Sequence, residues 1–317
     1  MKLEKQQLVP LLHGAVDWEI SDTGLIPYRF PVTFLNTMTA EDFGWYARAS
    51  AGIRVCLETE ADAVELRLRT TQVCDFSVPS ICEVFLNGDR VCCRDLEQRL
   101  EAQTAIHISL NGQSRVEFWL PINQTVELES LDFIGADTFR PISVPERTCL
   151  WIGDSITQGF ACGYPSKTWT AQVGNHRDWH LINQGIGGFC FRRSLVQPMR
   201  IRPHRIIVSL GTNSNPLDPL EKQDVFGFFD ALFTAWPDKQ TVVITPIPRL
   251  VGDLTPIRET VQKIELATEE RPNIYLIDGC DLLPSDANLF ADGLHPNAVG
   301  MESLSIALLS RLDALHF

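Results

Sequence analysis

Four short clusters in the second half of the chain carry the residue types that acyl transfer demands. Gly153-Asp154-Ser155-Ile156-Thr157 follows an apolar run ending at Ile152, and Asn183-Gln184-Gly185-Ile186-Gly187-Gly188 follows His180-Leu181-Ile182. Gly211-Thr212-Asn213 follows Arg205–Leu210, and Asp292-Gly293-Leu294-His295-Pro296-Asn297 precedes the last amphipathic stretch. Acyl transfer needs a nucleophile, a base for its proton, a group that orients the base, and donors for the oxyanion. Ser155 can supply the hydroxyl. His295 can take its proton, since an imidazole ordinarily titrates near ~6.5. Asp292, three residues earlier, can hold the Nδ1–H and fix the tautomer. The backbone N–H groups of Ser155 and Gly188, with the Asn213 side-chain amide, can form an oxyanion hole, each donor being worth ~3–4 kcal/mol in the transition state. Asp154 is expected to order the turn, not to act as the base.

Each cluster alone has a plainer reading. A serine opening a helix is usually an N-cap, glycines after a strand serve turns, an asparagine stabilises its own turn, and Asp292 can cap the helix that follows. Only together, in the order nucleophile, glycine, amide, Asp-His, do they supply every part of one reaction.

The elements that must position them follow from periodicity. Continuous apolar runs at 149–153, 180–183, 205–211, 241–247 and 273–278 predict strands buried on both faces. Between and after them, helix-length stretches lie near 167–176, 189–200, 220–235, 256–269 and 297–314. Such β-α alternation predicts an α/β fold with a parallel sheet covered by helices, and ligands in such sheets sit beyond the carboxyl ends of the strands.

From Gly52 to Phe133 the period is two. Ile53, Val55 and Leu57 alternate with Arg54, Cys56 and Glu58, and Val64, Leu66 and Leu68 with Glu65, Arg67 and Arg69. This predicts antiparallel sheet with one buried face. Asn87-Gly88 predicts a type I′ hairpin, and Asn111-Gly112 predicts a second. Residues 1–145 are therefore expected to form a β-sandwich (jelly-roll-like) domain, and 146–317 the α/β domain.

The chain has 317 residues, 27 Lys and Arg against 40 Asp and Glu, and a net charge of −13. Neither half is basic, which argues against nucleic acid or an anionic membrane surface as partner. No run reaches the ~18 apolar residues of a membrane span. The first residues lack a continuous apolar stretch, so the chain reads as cytoplasmic. The nine cysteines are odd in number and contain no C-x-x-C pair, which fits buried thiols in a reducing compartment. Thr157 replaces the last glycine of a G-x-S-x-G elbow, and Cys190 the third glycine of a dinucleotide fingerprint. His176, Asp178 and His180 read as a polar connection, so no metal and no cofactor is expected. Trp18, Trp45, Tyr46 and Trp169 can either fill a core or stack on sugar rings.

The four clusters, from Cys149 to Pro296, resemble the SGNH hydrolases, also called GDSL-type esterases. Ser155, Gly188, Asn213, Asp292 and His295 match that family's marked positions one by one, its spacing from Asn183 selecting Gly188 over Gly187. Ser214 departs from the acid that many members carry after the asparagine. The resemblance implies a three-layer α/β/α domain and metal-free hydrolysis of carboxylic esters. A β-sandwich before such a domain is similar to multidomain bacterial carbohydrate esterases. The expected function is therefore a serine esterase acting on short-chain esters, O-acetyl groups on carbohydrate foremost, with a small-molecule or oligosaccharide ester as partner. The alternatives are a lipase or thioesterase for longer acyl chains, or a glycan-binding protein without activity. Oligomeric state is not legible.

Overall fold

The computed structural model describes residues 1–317 except 40–42, 75–77, 137, 214–223 and 270. Ser214 and the expected start of a helix at 220 thus lie outside the described residues. The chain divides into two units, Met1–Pro145 with Gly163–Ser166, and Glu146–Cys162 with Lys167–Phe317.

The first unit is built from two antiparallel sheets. One has the strand order Asp17–Ile20, Leu25–Tyr28, Gln124–Ile134, Ala63–Val73, Gln103–Ser109. The other runs Phe139–Pro141, Arg54–Thr59, Ser114–Trp119, Ile81–Leu86, Asp89–Asp95. The period-two pattern explains the core: Val64, Leu66 and Leu68 of one sheet and Val55, Leu57, Val116 and Phe118 of the other are all buried in a single cluster. Asn87 and Gly88 both have positive φ, 54° and 94°, as a type I′ hairpin between Ile81–Leu86 and Asp89–Asp95 requires.

The second expected hairpin is not one. Gln103–Ser109 pairs with Ala63–Val73 in the first sheet, whereas Ser114–Trp119 pairs with Arg54–Thr59 and Ile81–Leu86 in the second. At Asn111-Gly112 only the glycine has positive φ (72°), so the type I′ geometry is missing. The Leu110 N–H is taken by Asp62 O at 2.8 Å, which keeps the incoming strand on its own sheet to the end. The turn carries the chain across the sandwich.

The short excursion Gly163–Ser166 belongs to this first unit. The Ser166 N–H donates to Glu83 Oε2 at 2.7 Å, and Arg90 Nη1 donates to the other oxygen of that fully buried carboxylate at 2.9 Å. The Arg90 guanidinium lies 5.1 Å from the centre of the Tyr164 ring.

In the second unit β1 (Arg147–Gly153), β2 (Trp179–Gly185), β3 (Arg205–Ser209), β4 (Gln240–Ile244) and β5 (Ile274–Ile277) form a parallel sheet in the order β2-β1-β3-β4-β5. Every residue of β2 is buried and so is all of β1 beyond Arg147, which is why these runs carry no alternation. Helices Ser155–Gln158, Trp169–His176, Val225–Ala235, Thr255–Thr268 and Ala298–Ala314 accompany the strands. Trp169–His176 packs with Ala298–Ala314, and Val225–Ala235 with Thr255–Thr268. Right-handed crossovers send connections that run in opposite directions along the sheet to opposite faces. The direction reverses at β1, whose neighbours are β2 and β3, and this is the switch point at which open α/β sheets form their crevice.

The helix expected at 189–200 is absent; only a single 3₁₀ turn, Arg193–Leu195, forms there. Pro198 explains it. Its missing N–H and its ring are incompatible with a helix interior, and they push Gln197 out of the helical region as well. The strand expected to reach Gly211 ends at Ser209, and Gly211 turns the chain with φ 115°. Among the described residues no helix is long and apolar enough to cross a membrane.

Truncating Phe118 to alanine should cost ~3–5 kcal/mol of stability by leaving a cavity between the sheets. Val91→Ala, on the exposed hairpin strand, should stay within about 0.5 kcal/mol of wild type. Denaturant unfolding of both variants checks the assignment of the core.

Candidate active site

Two glycines let the second unit bring its loops together. A Cβ on Gly153 would sit 1.9 Å from Thr157 Oγ1 and 2.6 Å from Ser209 O. A Cβ on Gly185 would sit 2.2 Å from Gln158 N. The short helix Ser155–Gln158 therefore rests directly on the ends of β1 and β2, and no side chain fits between. Asp154 caps it, accepting the Ile156 N–H at 3.0 Å. Trp169 Nε1 donates to Ile156 O at 2.9 Å, and Asn183 Nδ2 donates to Thr157 O at 2.9 Å from β2.

The same helix is tied to the glycine cluster and to the amide cluster. Gln158 Oε1 accepts the Gly187 N–H at 2.8 Å, and Gly188 follows with φ 77°. The backbone N–H groups of Thr212 and Thr157 also favour the ionised Asp154 carboxylate, against its burial. Asn213, next to Thr212, donates one amide hydrogen to Phe189 O at 3.2 Å, and Cys190 Sγ donates to Asn213 O at 3.5 Å. Gly188 and Asn213 are thus held on adjoining loops, and the second hydrogen of the Asn213 amide is not used by the Phe189 bond.

Ser155, which is 5% exposed, meets His295: Oγ lies 2.9 Å from Nε2. His295 Nδ1 lies 2.7 Å from Asp292 Oδ2, while Asp292 Oδ1 accepts the backbone N–H groups of Leu294 at 2.9 Å and His295 at 2.7 Å. One oxygen builds the turn and the other holds the ring. Desolvation pushes the Asp292 carboxyl up, but the backbone and ring N–H of His295 and the backbone N–H of Leu294 together outweigh it and hold it below the ordinary carboxylate range. An ionised carboxylate only accepts, so Nδ1 carries the proton and Nε2 presents its lone pair to the Ser155 hydroxyl. The Phe160 ring lies 4.8 Å from the imidazole and shields it. Asp292 does not cap the following helix. Asn297 does, accepting from Val299 and Gly300 at 3.0 Å each.

Asp154 contrasts with Asp292. Burial pushes its carboxyl up to about 7, against the pull of the backbone N–H groups around it. It does not share in the His295 contacts, as expected of a residue that orders the turn. Gln158, Gly185 and Phe160 escape a reading of the sequence, because their roles lie in what they touch across the fold; a glutamine three residues after the serine carries no signal of its own. Among the aromatics, Trp169 is fully buried and supports the turn at Ser155 through Ile156 O, Trp18 packs half-buried against the sandwich core, Tyr46 is half-buried, and Trp45 is exposed.

Residues 151–302 match the GDSL-like lipase/acylhydrolase family. None of the curated proteins matches the chain. Among solved structures, a salicylyl-acyltransferase of a tetracycline biosynthetic pathway is similar at a TM-score of 0.84 and 18% identity, over 100% of this chain and 97% of that one. A family two carbohydrate esterase from Cellvibrio japonicus is similar at 0.70 and 14%, over 98% and 96%. Another from Clostridium thermocellum, in complex with cellohexaose, is similar at 0.69 and 12%, over 96% and 98%. At these identities the likeness is one of fold, and it extends over both units.

The raised Asp154 carboxyl gives a pH signature. Because the folded state holds this proton more tightly than the unfolded chain, its contribution to stability is full below about 4 and is lost as pH rises to about 7. Asp154→Asn should therefore lose ground to wild type at pH 4 and regain it by pH 8, in denaturant unfolding across that range. A stability difference independent of pH would contradict the assignment. The same variant should keep more turnover than His295→Ala.

Proposed function

We propose, from the match of residues 151–302 to the GDSL-like lipase/acylhydrolase family, that this chain is a carboxylic ester hydrolase and that it hydrolyses short-chain esters, foremost O-acetyl groups on carbohydrate, through an acyl-enzyme on Ser155. The observation that carries the reading is the continuous relay from Ser155 Oγ to His295 Nε2, at 2.9 Å, and from His295 Nδ1 to Asp292 Oδ2, at 2.7 Å.

The mechanism follows from those contacts. Ser155 Oγ attacks the ester carbonyl carbon as its proton passes to His295 Nε2, and the carbonyl electrons move onto the oxygen. The backbone N–H groups of Ser155 and Gly188 and the second hydrogen of the Asn213 amide stabilise that oxyanion. Asp292, held ionised, balances the imidazolium that forms. As the tetrahedral intermediate collapses, the imidazolium gives its proton to the departing alcohol oxygen and the acyl group stays on Ser155. A water then repeats the attack, passing its proton to His295, and the carboxylic acid leaves as Ser155 recovers its hydrogen. Every proton moves through one nitrogen. No step calls for a metal or cofactor.

The carbohydrate part of the reading is supported by neighbours of the same two-unit fold that are carbohydrate esterases, one of them holding cellohexaose. Its acyl part is tested by a series of p-nitrophenyl esters from acetyl to octanoyl. The expected result is a maximum at acetyl, whereas a maximum at octanoyl would assign a lipase or thioesterase. Acetate release from acetylated oligosaccharides tests the alcohol side.

Ser155→Ala and His295→Ala should each lower kcat on p-nitrophenyl acetate by about 10⁴-fold or more. Equal rates for wild type and Ser155→Ala would instead favour a binding protein. Wild-type activity should show an acid limb, because imidazolium cannot accept the Ser155 proton. Asp292 does not set this limb, since its carboxyl is held below the ordinary range.

A further inference from the structure

We propose that Arg249 is a positioning residue for ester hydrolysis: its guanidinium holds the peptide group that precedes Asn213 and so aims the Asn213 amide, from a segment that is also bonded to the turn carrying His295. The inference rests on the roles given above to Asn213 and His295. The contacts themselves lie wholly within the second unit.

Arg249 stands in the connection 245–254, between β4 and the helix Thr255–Thr268. This connection touches two of the four clusters that supply the reacting groups. On one side, Arg249 Nη1 donates to Thr212 O at 3.0 Å. A Cβ on Gly211, whose φ is 115°, would come 3.1 Å from Pro246 Cγ, so the loop that carries Asn213 lies directly against the connection. On the other side, the Leu250 N–H donates to Gly293 O at 2.7 Å. A Cβ on Gly293 would come 2.8 Å from Val251 Cγ1, so the turn between Asp292 and His295 is equally close. Arg249 Nε donates to Val251 O at 2.7 Å, which anchors the guanidinium on its own segment while Nη1 reaches out.

The choice of arginine fits that task. Its N–H groups lie in one rigid plane, so the two carbonyl oxygens they bond are held at a set separation, which the single nitrogen of a lysine does not do. Thr212 O belongs to the same peptide group as the Asn213 N–H, and fixing that plane fixes the direction in which the Asn213 side chain leaves the backbone. The peptide group on the far side of Asn213 is held by Cys190 Sγ, 3.5 Å from Asn213 O. An oxyanion donor is useful only when aimed in advance, and a displacement of ~1 Å can cost ~10²-fold in rate.

Stability alone does not account for these bonds. Arg249 is half-buried and residues 250–255 are exposed, so this stretch adds little to the core. What sets it apart is the direction of its bonds, to the loop of the amide and to the turn of the base. Loops held in this way on a rigid scaffold are where function concentrates.

A double-mutant cycle on p-nitrophenyl acetate hydrolysis by the full chain decides the matter, with Arg249→Ala, Asn213→Ala and the two combined. Arg249→Ala should lower kcat about tenfold and leave KM within about twofold, because a misaimed oxyanion donor is felt in the transition state and not in the bound substrate. In the Asn213→Ala background the same substitution should lower kcat by less than about twofold, since no amide remains to be aimed. Arg249→Lys, which keeps a donor and the charge, should show the same pattern with a smaller loss, and it carries the cycle if the alanine variant does not fold. An equal loss in both backgrounds would overturn the proposal, because a general structural part does not depend on Asn213. A loss confined to KM, or no loss at all, would overturn it as well. These results are distinct from a failure of the esterase reading, which equal rates for wild type and Ser155→Ala would reveal; an active wild type indifferent to Arg249 sinks the positioning role alone.

Discussion

The closeness of a four-residue helix to the ends of two strands governs the second unit. Ser155–Gln158 lies where even one methyl group on Gly153 or Gly185 would collide with it. Contact at that distance fixes the serine relative to the sheet and puts Asp154 and Gln158 within reach of the loops on either side. Gln158 then bonds the loop that carries Gly188, and the backbone N–H of Thr212, beside Asn213, acts on the Asp154 carboxyl. The sheet order makes this possible. β1 lies between β2 and β3, so the three loops leave neighbouring strands at the same edge. Only the Asp292–His295 segment comes from elsewhere in the chain, and it brings its own rigidity in the turn closed by Asp292 Oδ1.

Two aspartates in this unit show how environment sorts identical side chains. Asp154 is wholly enclosed and its carboxyl is pushed up to about 7, whereas Asp292 lies at the surface and is held below its ordinary value by the N–H groups it accepts. The proposed mechanism gives the first a structural role and the second an electrostatic one. The ionised member faces the imidazole. A carboxyl that gained a proton near neutrality would be a poor partner for an imidazolium, so the division matches what the relay requires.

Legibility in the sequence follows the range of the interactions involved. Strands buried on both faces, period-two strands and the Asn87-Gly88 turn are local and can be read directly. Asn111-Gly112 has the same letters but a different outcome, because the partner of each flanking strand is chosen by sheet contacts far away in sequence. The stretch 189–200 has helical polar and apolar spacing, and one residue, Pro198, overrides it. Residue type and place at strand ends single out Ser155, Asp292 and His295; the hydrogen bonds among them depend on a fold that no spacing rule supplies. Gln158 and Gly185 are invisible for a related reason, since one acts through a backbone N–H 29 positions away and the other through the atoms it lacks. The cap at Asn297 is legible from its place before the last helix, but the neighbouring aspartate competes for the same reading.

The excursion Gly163–Ser166 means that the chain passes from one unit to the other three times, not once. A cut after Pro145 would therefore not yield two finished modules. The fragment that begins at Glu146 would carry four residues belonging to the sandwich, and the sandwich fragment would be left with the buried Glu83 carboxylate stripped of the Ser166 N–H. Recombination that shuffles whole domains would meet the same obstacle, so lineages with this architecture should inherit both units as one block.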